Sequence, residues 1–432
     1  MVFTETFIGL TVPAVLLAFV NARFASGEPL PLDEEDPNSS RPKHDPAKYR
    51  SFRNKYLIVY CLVMAGDWLQ GPYIYALYKK HGLDMYNISI LFITGYLTSA
   101  LVGALLGSLA DNYGRKRVCL WFTALYSISS TFATFPNFVV LFVGKILGGI
   151  STSLLYSIFE SWMVSQHLKE EFSPLALSTT FSWATFLNGV TAISCGLFAD
   201  TAVGRFGEAA PFFAAVGCFM LGAVLIVIYW SENYGGTEKF ETTKDSLYRG
   251  IKHIIHDRKV ALVGAIQALF EGAMFSLISL WGPILEAADV SSELPYGIIF
   301  SSFMVSMMIG SSVFQFLTNS RWDPKTVGKI TFFISGSALI STKIISTQNW
   351  IFFCFNIFEF GCGMYYPMIG TLRSAYIPEE SRSTIMNFFT IPWNIYVVFI
   401  LLASASTSAP TLLTLCSLNL FLAFVLIHFL RS

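Results

Sequence analysis

Charge is what this sequence has least of. Asp, Glu, Lys and Arg make up only 13% of its 432 residues, where a soluble domain carries about 25%. A chain so poor in charge cannot cover a water-facing surface of its own size. The 28 acids and 28 bases cancel, so no net positive field calls for nucleic acid as a partner. Motifs that cradle phosphate or cleave bonds are missing as well. No Walker-type phosphate loop, GxSxG or HExxH is present, so nothing suggests an ATP-driven pump, a hydrolase or a resident cofactor, and the chain reads as not an enzyme. Cysteine is sparse and poorly placed for cross-linking: Cys61, Cys119, Cys195, Cys218, Cys354, Cys362 and Cys416 all fall inside apolar runs, with no CxxC spacing. Neither a disulfide framework nor a metal site is implied, and packing is their simplest use.

Apolar residues, by contrast, are 54% of the chain and aromatics 16%. They gather into runs of the length a helix needs to cross a bilayer, about 20 residues. The first, at 6–24, has no basic lead-in and no A-x-A cleavage site, so it is expected to stay as an anchor helix. Six runs follow a polar linker, at about 55–80, 88–110, 118–135, 138–165, 178–200 and 210–230; after a second polar stretch come six more, at about 259–285, 296–317, 326–346, 349–372, 383–405 and 409–430. The expected fold is an all-α membrane protein of thirteen spans, divided into an anchor and linker (1–54), a six-helix bundle (55–230), a central loop (231–258) and a second six-helix bundle (259–432). Lys and Arg crowd into alternate loops, which places both long polar segments on the cytoplasmic side.

A charge inside a span costs about 2.5–3.5 kcal/mol on insertion scales, so it normally faces a cavity or a partner. In run 55–80 Asp67 has Gln70 one turn on, then Gly71-Pro72-Tyr73. There the proline can open the helix, and Asp67, Gln70 and Tyr73 either line a solute path or mark a plain kink. Run 138–165 sets Lys145, Gly149, Thr152, Tyr156 and Glu160 at i, i+4, i+7 spacing on one polar face, which lines a path unless Glu160 simply ends the helix at the interface. Gln267 and Glu271, four apart, share a face. Run 349–372 adds Asn356 and Glu359, with Arg373 just past its end, where it lines the path or snorkels to headgroups. Asn188 can bind an oxyanion or tie two helices together. No histidine lies deep in a run, so a coupling proton would fall to carboxylates such as Asp67, Glu160 or Glu271. The spacings Gly103/Gly107 and Gly144/Gly148 predict close helix packing.

Between the second and third of the first six runs lies GSLADNYGRKR, Gly107 to Arg117. Gly107, Asp111, Gly114, Arg115 and Arg117 stand where the signature loop of the major facilitator superfamily has them, and on these residues the chain resembles that superfamily. The resemblance implies the major facilitator fold: two six-helix bundles in parallel pseudo-repeat, here with an extra N-terminal transmembrane helix, working by alternating access. A carboxylate recurs in the first helix of each half, Asp67 and Glu271. In the loop, Asp111 is expected at a neighbouring helix N-terminus, with Arg115 and Arg117 paired to acids such as Glu160 to lock an inner gate. The later PEESR, Pro378 to Arg382, resembles a weaker facilitator element, while the loop at 318–326 departs from a second copy of the signature.

A narrower resemblance rests on DWLQGPY (Asp67 to Tyr73), on Leu147-Gly148-Gly149 with Ser151-Thr152 and Phe159-Glu160, on IQALFE (Ile266 to Glu271) and on GIIFSSFM (Gly297 to Met304). These stretches resemble the molybdate-anion transporter family, the group called major facilitator domain-containing protein 5. The resemblance implies import of the tetrahedral oxyanion molybdate at the plasma membrane, with Lys145 where the superfamily has Arg, keeping the charge but losing the bidentate fork. Lys145, Arg373, Asn188, Gln70, Gln267 and the tyrosines, no one of them singled out, would serve the dianion, although the deep acids outnumber the deep bases. A facilitator for a sugar, organic anion or drug, and a non-transporting membrane sensor, are the other readings. Expected partners are the lipid bilayer, the small anionic solute and a coupling proton, with the chain acting as a monomer.

Overall fold

The computed structural model describes residues 2–25, 46–234, 251–289, 293–378 and 382–430. Among them the chain is helical and contains no strand. The helices are α1 (Val2–Ala25), α2 (Pro46–Gln70), α3 (Ile74–Lys80), α4 (Met85–Tyr113), α5 (Arg115–Phe132), α6 (Phe138–Leu155), α7 (Ile158–Lys169), α8 (Pro174–Phe206), α9 (Ala210–Tyr229), α10 (Arg258–Ala288), α11 (Tyr296–Asn319), α12 (Pro324–Ser341), α13 (Gln348–Tyr376), α14 (Arg382–Ser404) and α15 (Ala409–Ile427). Helix occupies each of the thirteen apolar runs. Among the described residues eight stretches are both long and apolar enough to cross a membrane, by length and composition. Helix α5 falls below that mark because of the three cations Arg115, Lys116 and Arg117 in its first turn; its hydroxyls lower the hydropathy only slightly. In α5 Ser127, Ser130 and Thr131 turn back onto the carbonyls of Thr123, Tyr126 and Ser127, so the polar groups are satisfied without breaking the helix.

Helix starts follow local chemistry. Asn137, Ser173, Asp257 and Asp323 each accept hydrogen bonds from the first free amides of α6, α8, α10 and α12, and Pro174 and Pro324 open two of those helices. Two boundaries differ from the sequence-based expectation. The stretch 107–117 is not a loop: α4 runs through to Tyr113, and Gly114 alone, at φ +100, separates it from α5. The polar-faced run 138–165 is not one helix either, because Tyr156 and Ser157 interrupt it between α6 and α7. At Gly71-Pro72-Tyr73 the chain tightens into a single 3₁₀ turn between α2 and α3, as a proline inside a span permits.

Packing divides the chain into two units. One comprises Phe19–Gly82 and Thr94–Thr237, the other Met1–Ala18, Leu83–Ile93 and Glu238–Ser432. In the first, called here the N-terminal unit, α2 packs on α8 and α9, and α5 on α6 and α9. Phe122 holds its centre, edge-on to Phe159 at 5.0 Å and to Phe219 at 5.7 Å. In the C-terminal unit α11 and α13 meet backbone to backbone. A Cβ on Gly310 would lie 1.9 Å from the Phe360 carbonyl oxygen, and one on Gly363 1.9 Å from that of Met307. The N-terminal helix α1 joins this unit through Phe3, set edge-on to Phe352 at 4.8 Å.

Candidate functional site

Among the described residues each unit carries a cluster of opposite charges set within its helices. In the C-terminal unit α10 supplies Gln267 and Glu271 one turn apart, and α13 brings Arg373 and Tyr365 to them. Arg373 donates from Nε to Gln267 Oε1 at 3.0 Å and from Nη2 to Glu271 Oε1 at 3.0 Å. Gln267 Nε2 donates to Glu271 Oε2 at 3.1 Å, and the Tyr365 hydroxyl donates to Glu271 Oε1 at 3.1 Å. A ring of bonds closes, with the Arg373 and Glu271 side chains only 19% and 10% exposed. So the Arg373 side chain turns inward to an acid. Tyr365 is fixed in turn by stacking on Phe270 at 3.9 Å. Glu359 and Asn356 are buried on the same helix; Asn356 accepts from Ser306 at 2.9 Å, and Glu359 lies beside Cys362.

In the N-terminal unit α2 supplies Asp67, whose carboxylate accepts a hydrogen bond from the Tyr126 hydroxyl of α5. Thr152 of α6 contacts the same tyrosine, and Lys145, two turns earlier on α6, is within electrostatic reach of Asp67. The Lys145 ammonium also sits 5.4 Å from the ring centre of buried Tyr78, a cation–π contact. Gly149 lets α6 approach α4 here, since a Cβ would lie 2.6 Å from the Gly95 carbonyl oxygen.

Other expected path residues have local partners. Gln70 donates to the Gly66 carbonyl of its own helix at 2.8 Å, and the Tyr73 hydroxyl donates to Asp200 Oδ1 at 2.8 Å. Asn188 accepts from Trp68 Nε1 at 2.8 Å, the helix-tying alternative of the two open to it. Tyr156 and Glu160 are exposed, and the break at Tyr156–Ser157 sets Glu160 on a different helix from Lys145 and Thr152, so the continuous polar stripe is lost.

Around the signature stretch the acid that meets Arg117 is Glu232, just past the end of α9, and not Glu160. Arg117 pairs with Glu232 at 3.8 Å, and Arg115 donates to the Ser161 carbonyl at 3.3 Å. Glu232 also receives the Lys116 amide at 2.8 Å and so sits at the N-terminus of α5, where the helix dipole favours an anion. Asp111, expected at a neighbouring helix N-terminus, has a side chain that, like Gly107, lies outside the described residues. Gly114 is needed for this seat, because a Cβ would meet the Glu232 carboxyl carbon at 2.6 Å. The segment after α9 closes the arrangement: Trp230 stacks on Trp162 at 3.7 Å, Trp162 Nε1 donates to the Ser231 carbonyl, and the Arg115 amide donates to the Asn233 carbonyl. Residues 379–381, within PEESR, lie outside the described residues.

Sequence reading missed Tyr126, Tyr365, Tyr78 and Glu232. Tyrosine is common among these runs and carries no charge to draw notice, and Glu232 falls just beyond the end of a run.

Comparison with known proteins gives these arrangements a context. Over residues 32–351 the chain matches the profile of a family described as sugar transporters with twelve transmembrane spans. It is 32% identical over 401 residues to the molybdate-anion transporter of Xenopus tropicalis, covering 89% of this chain and 86% of that one. With the molybdate-anion transporter of Takifugu rubripes it shares 31% identity over 386 residues, 82% of this chain and 80% of the other. Among solved structures it is similar to the nucleoside transporter NupG, with a TM-score of 0.69 at 13% identity over 88% of this chain and 100% of that one. A bacterial homologue of the human lysosomal transporter Spinster gives a TM-score of 0.64 at 13% identity, covering 90% and 95%. At such identities the likeness is one of fold, the major facilitator fold.

Proposed function

Because the chain belongs to the twelve-span transporter family that it matches over residues 32–351, and is a multi-pass membrane transporter and not an enzyme, we propose that its cargo is molybdate, imported at the plasma membrane by alternating access. Support comes from relatives over 30% identical that bear that name. The observation that carries the chemistry is the closed ring of Arg373, Gln267, Glu271 and Tyr365. A tetrahedral dianion needs a cation and several aligned donors. Arg373 offers a planar fork, and the carboxylate now filling that fork is the group an oxyanion resembles. Molybdate takes the place of Glu271 on Arg373, and Glu271, released, takes up a proton so that no bare charge is left behind. In the N-terminal unit Lys145 and Asp67 repeat the pattern. The excess of deep acids thus becomes part of the mechanism: each base has an acid that yields to the cargo and stores the coupling proton. The chain acts as a monomer.

The test is uptake of labelled molybdate by purified protein in liposomes, with and without an outside-acid pH gradient and with sulfate and tungstate as competitors. Uptake that tungstate blocks and the gradient accelerates is expected. The family's description favours a sugar instead; uptake of labelled hexose with molybdate excluded would replace the reading.

A further inference from the structure

A groove of the N-terminal unit has no part in the charge cluster just described. It lies between α2, α8 and α9, holds about 1110 Å³, and is lined by residues such as Leu57, Cys61, Leu69, Phe198 and Gly217, with Arg53 and Asn54 at one end. None of Asp67, Tyr126 or Lys145 lines it. An apolar trough of this kind has nothing to offer a hydrated dianion. It is open along one side, where Ile58, Phe198 and Leu221 are 52%, 55% and 50% exposed.

Its length and its one polar end are both informative. From Leu57 to Leu69 an α-helix rises about 18 Å, close to the ~15 Å depth of one leaflet's hydrocarbon. At the mouth the Arg53 guanidinium is held 5.6 Å from the Tyr49 ring and 5.7 Å from the Trp183 ring. Among the described residues its hydrogen bonds are two long ones, 3.3 and 3.4 Å, to Asn54 Oδ1. Among the described residues no carboxylate lies within ion-pair distance of it. Two aromatic faces therefore fix a cation at the interface and leave its fork of N–H groups open, the geometry that suits a phosphate. Arg53 lies near the start of α2 among Lys48, Arg50 and Lys55, at the end read as cytoplasmic, where anionic lipids concentrate.

We propose that the α2–α8–α9 groove is a phospholipid site: one acyl chain of an anionic glycerophospholipid lies along Leu57 to Leu69, and its phosphate is bound by Arg53 with the Asn54 amide. The bound lipid fills the space between α8 and α9 and braces the N-terminal unit.

Two substitutions separate head from tail. Arg53→Ala removes the phosphate ligand, and Gly217→Leu fills the trough without disturbing the fold, since a Cβ at Gly217 meets nothing within 4 Å. The full chain is purified, delipidated and returned to nanodiscs of phosphatidylcholine with or without phosphatidylserine, and bound lipid and melting temperature are measured. Wild type should retain phosphatidylserine selectively and melt higher with it. Arg53→Ala should bind it about tenfold more weakly while keeping its melting temperature in phosphatidylcholine alone, and Gly217→Leu should exclude it. Equal retention of both lipids by wild type and Arg53→Ala would overturn the proposal, as would the same stabilisation by inorganic phosphate in detergent or by a sterol.

Discussion

Glu271 has three hydrogen-bond partners, Gln267, Tyr365 and Arg373, and this decides what its loss does. Glu271→Gln keeps the shape and removes the charge, so Arg373 is left buried without a counter-ion, a change that costs about 3–5 kcal/mol when a buried pair is broken from one side. Glu271→Gln and Lys145→Ala are each expected to abolish uptake while the protein still reaches the membrane, measured as transport against surface-labelled protein; normal kinetics in both would remove them from the transport machinery. Tyr365→Phe loses one neutral hydrogen bond of several and should leave transport within about tenfold. The charged members of these clusters were legible in the sequence because ionised groups stand out in apolar runs. Their tyrosine partners did not, since the chain has 19 tyrosines and nothing in a linear pattern separates Tyr126 or Tyr365 from the rest.

Helix existence was legible at the scale of the element; helix endings and contacts were not. The runs gave the right elements because apolar length dictates a span, but Gly114 ends α4 for a tertiary reason, the seat of Glu232, that no local signal shows. Likewise the close helix contact at Gly310 and Gly363 between α11 and α13 escaped the small-residue spacings, because each helix gives one glycine to it and the partner lies in another run. Gly363→Ala should lower the melting temperature sharply, since a Cβ 1.9 Å from a carbonyl oxygen forces the helices apart. Gly370→Ala, on the same helix with nothing within 4 Å, is the control and should be neutral or stabilising. Helix ends also set the acid response. Lys80 pairs with Glu208 before α9, and Lys48 with Glu170 after α7 at 2.7 Å; each lysine holds its glutamate below the ordinary carboxylate value. A lowered folded value means the pair stabilises above the ordinary glutamate value of about 4.3 and loses that contribution as pH falls through the lower one. Comparing wild type with Glu208→Gln by thermal melting, a small gap at neutral pH should close below about pH 4. Both pairs are largely exposed, so salt should shrink the gap as well.

For the whole molecule, composition alone excluded a water-soluble domain, and the count of runs gave the architecture. How helices distribute between units was not legible: α4 contributes Leu83–Ile93's helical part to one unit and the rest, from Thr94, to the other, while α1 joins helices that follow it by hundreds of residues. Such choices are made by side chains far apart in sequence, as Phe3 on Phe352 or Ser89 on Ser404 at 3.2 Å show. A protein whose function resides in its two helical units should not depend on the order of residues in the linker between α1 and α2. A membrane sensor built on the same fold would need its polar segments as partner surfaces. Replacing 26–45 by a Gly/Ser stretch of equal length keeps the span of the connection and removes the acidic run Asp33, Glu34, Glu35 and Asp36 together with Arg41 and Lys43. Uptake per molecule at the membrane is expected to stay within about twofold of wild type, because no residue of either charge cluster is touched. Its complete loss, with normal melting and normal surface abundance, would shift the function from the buried clusters to the linker.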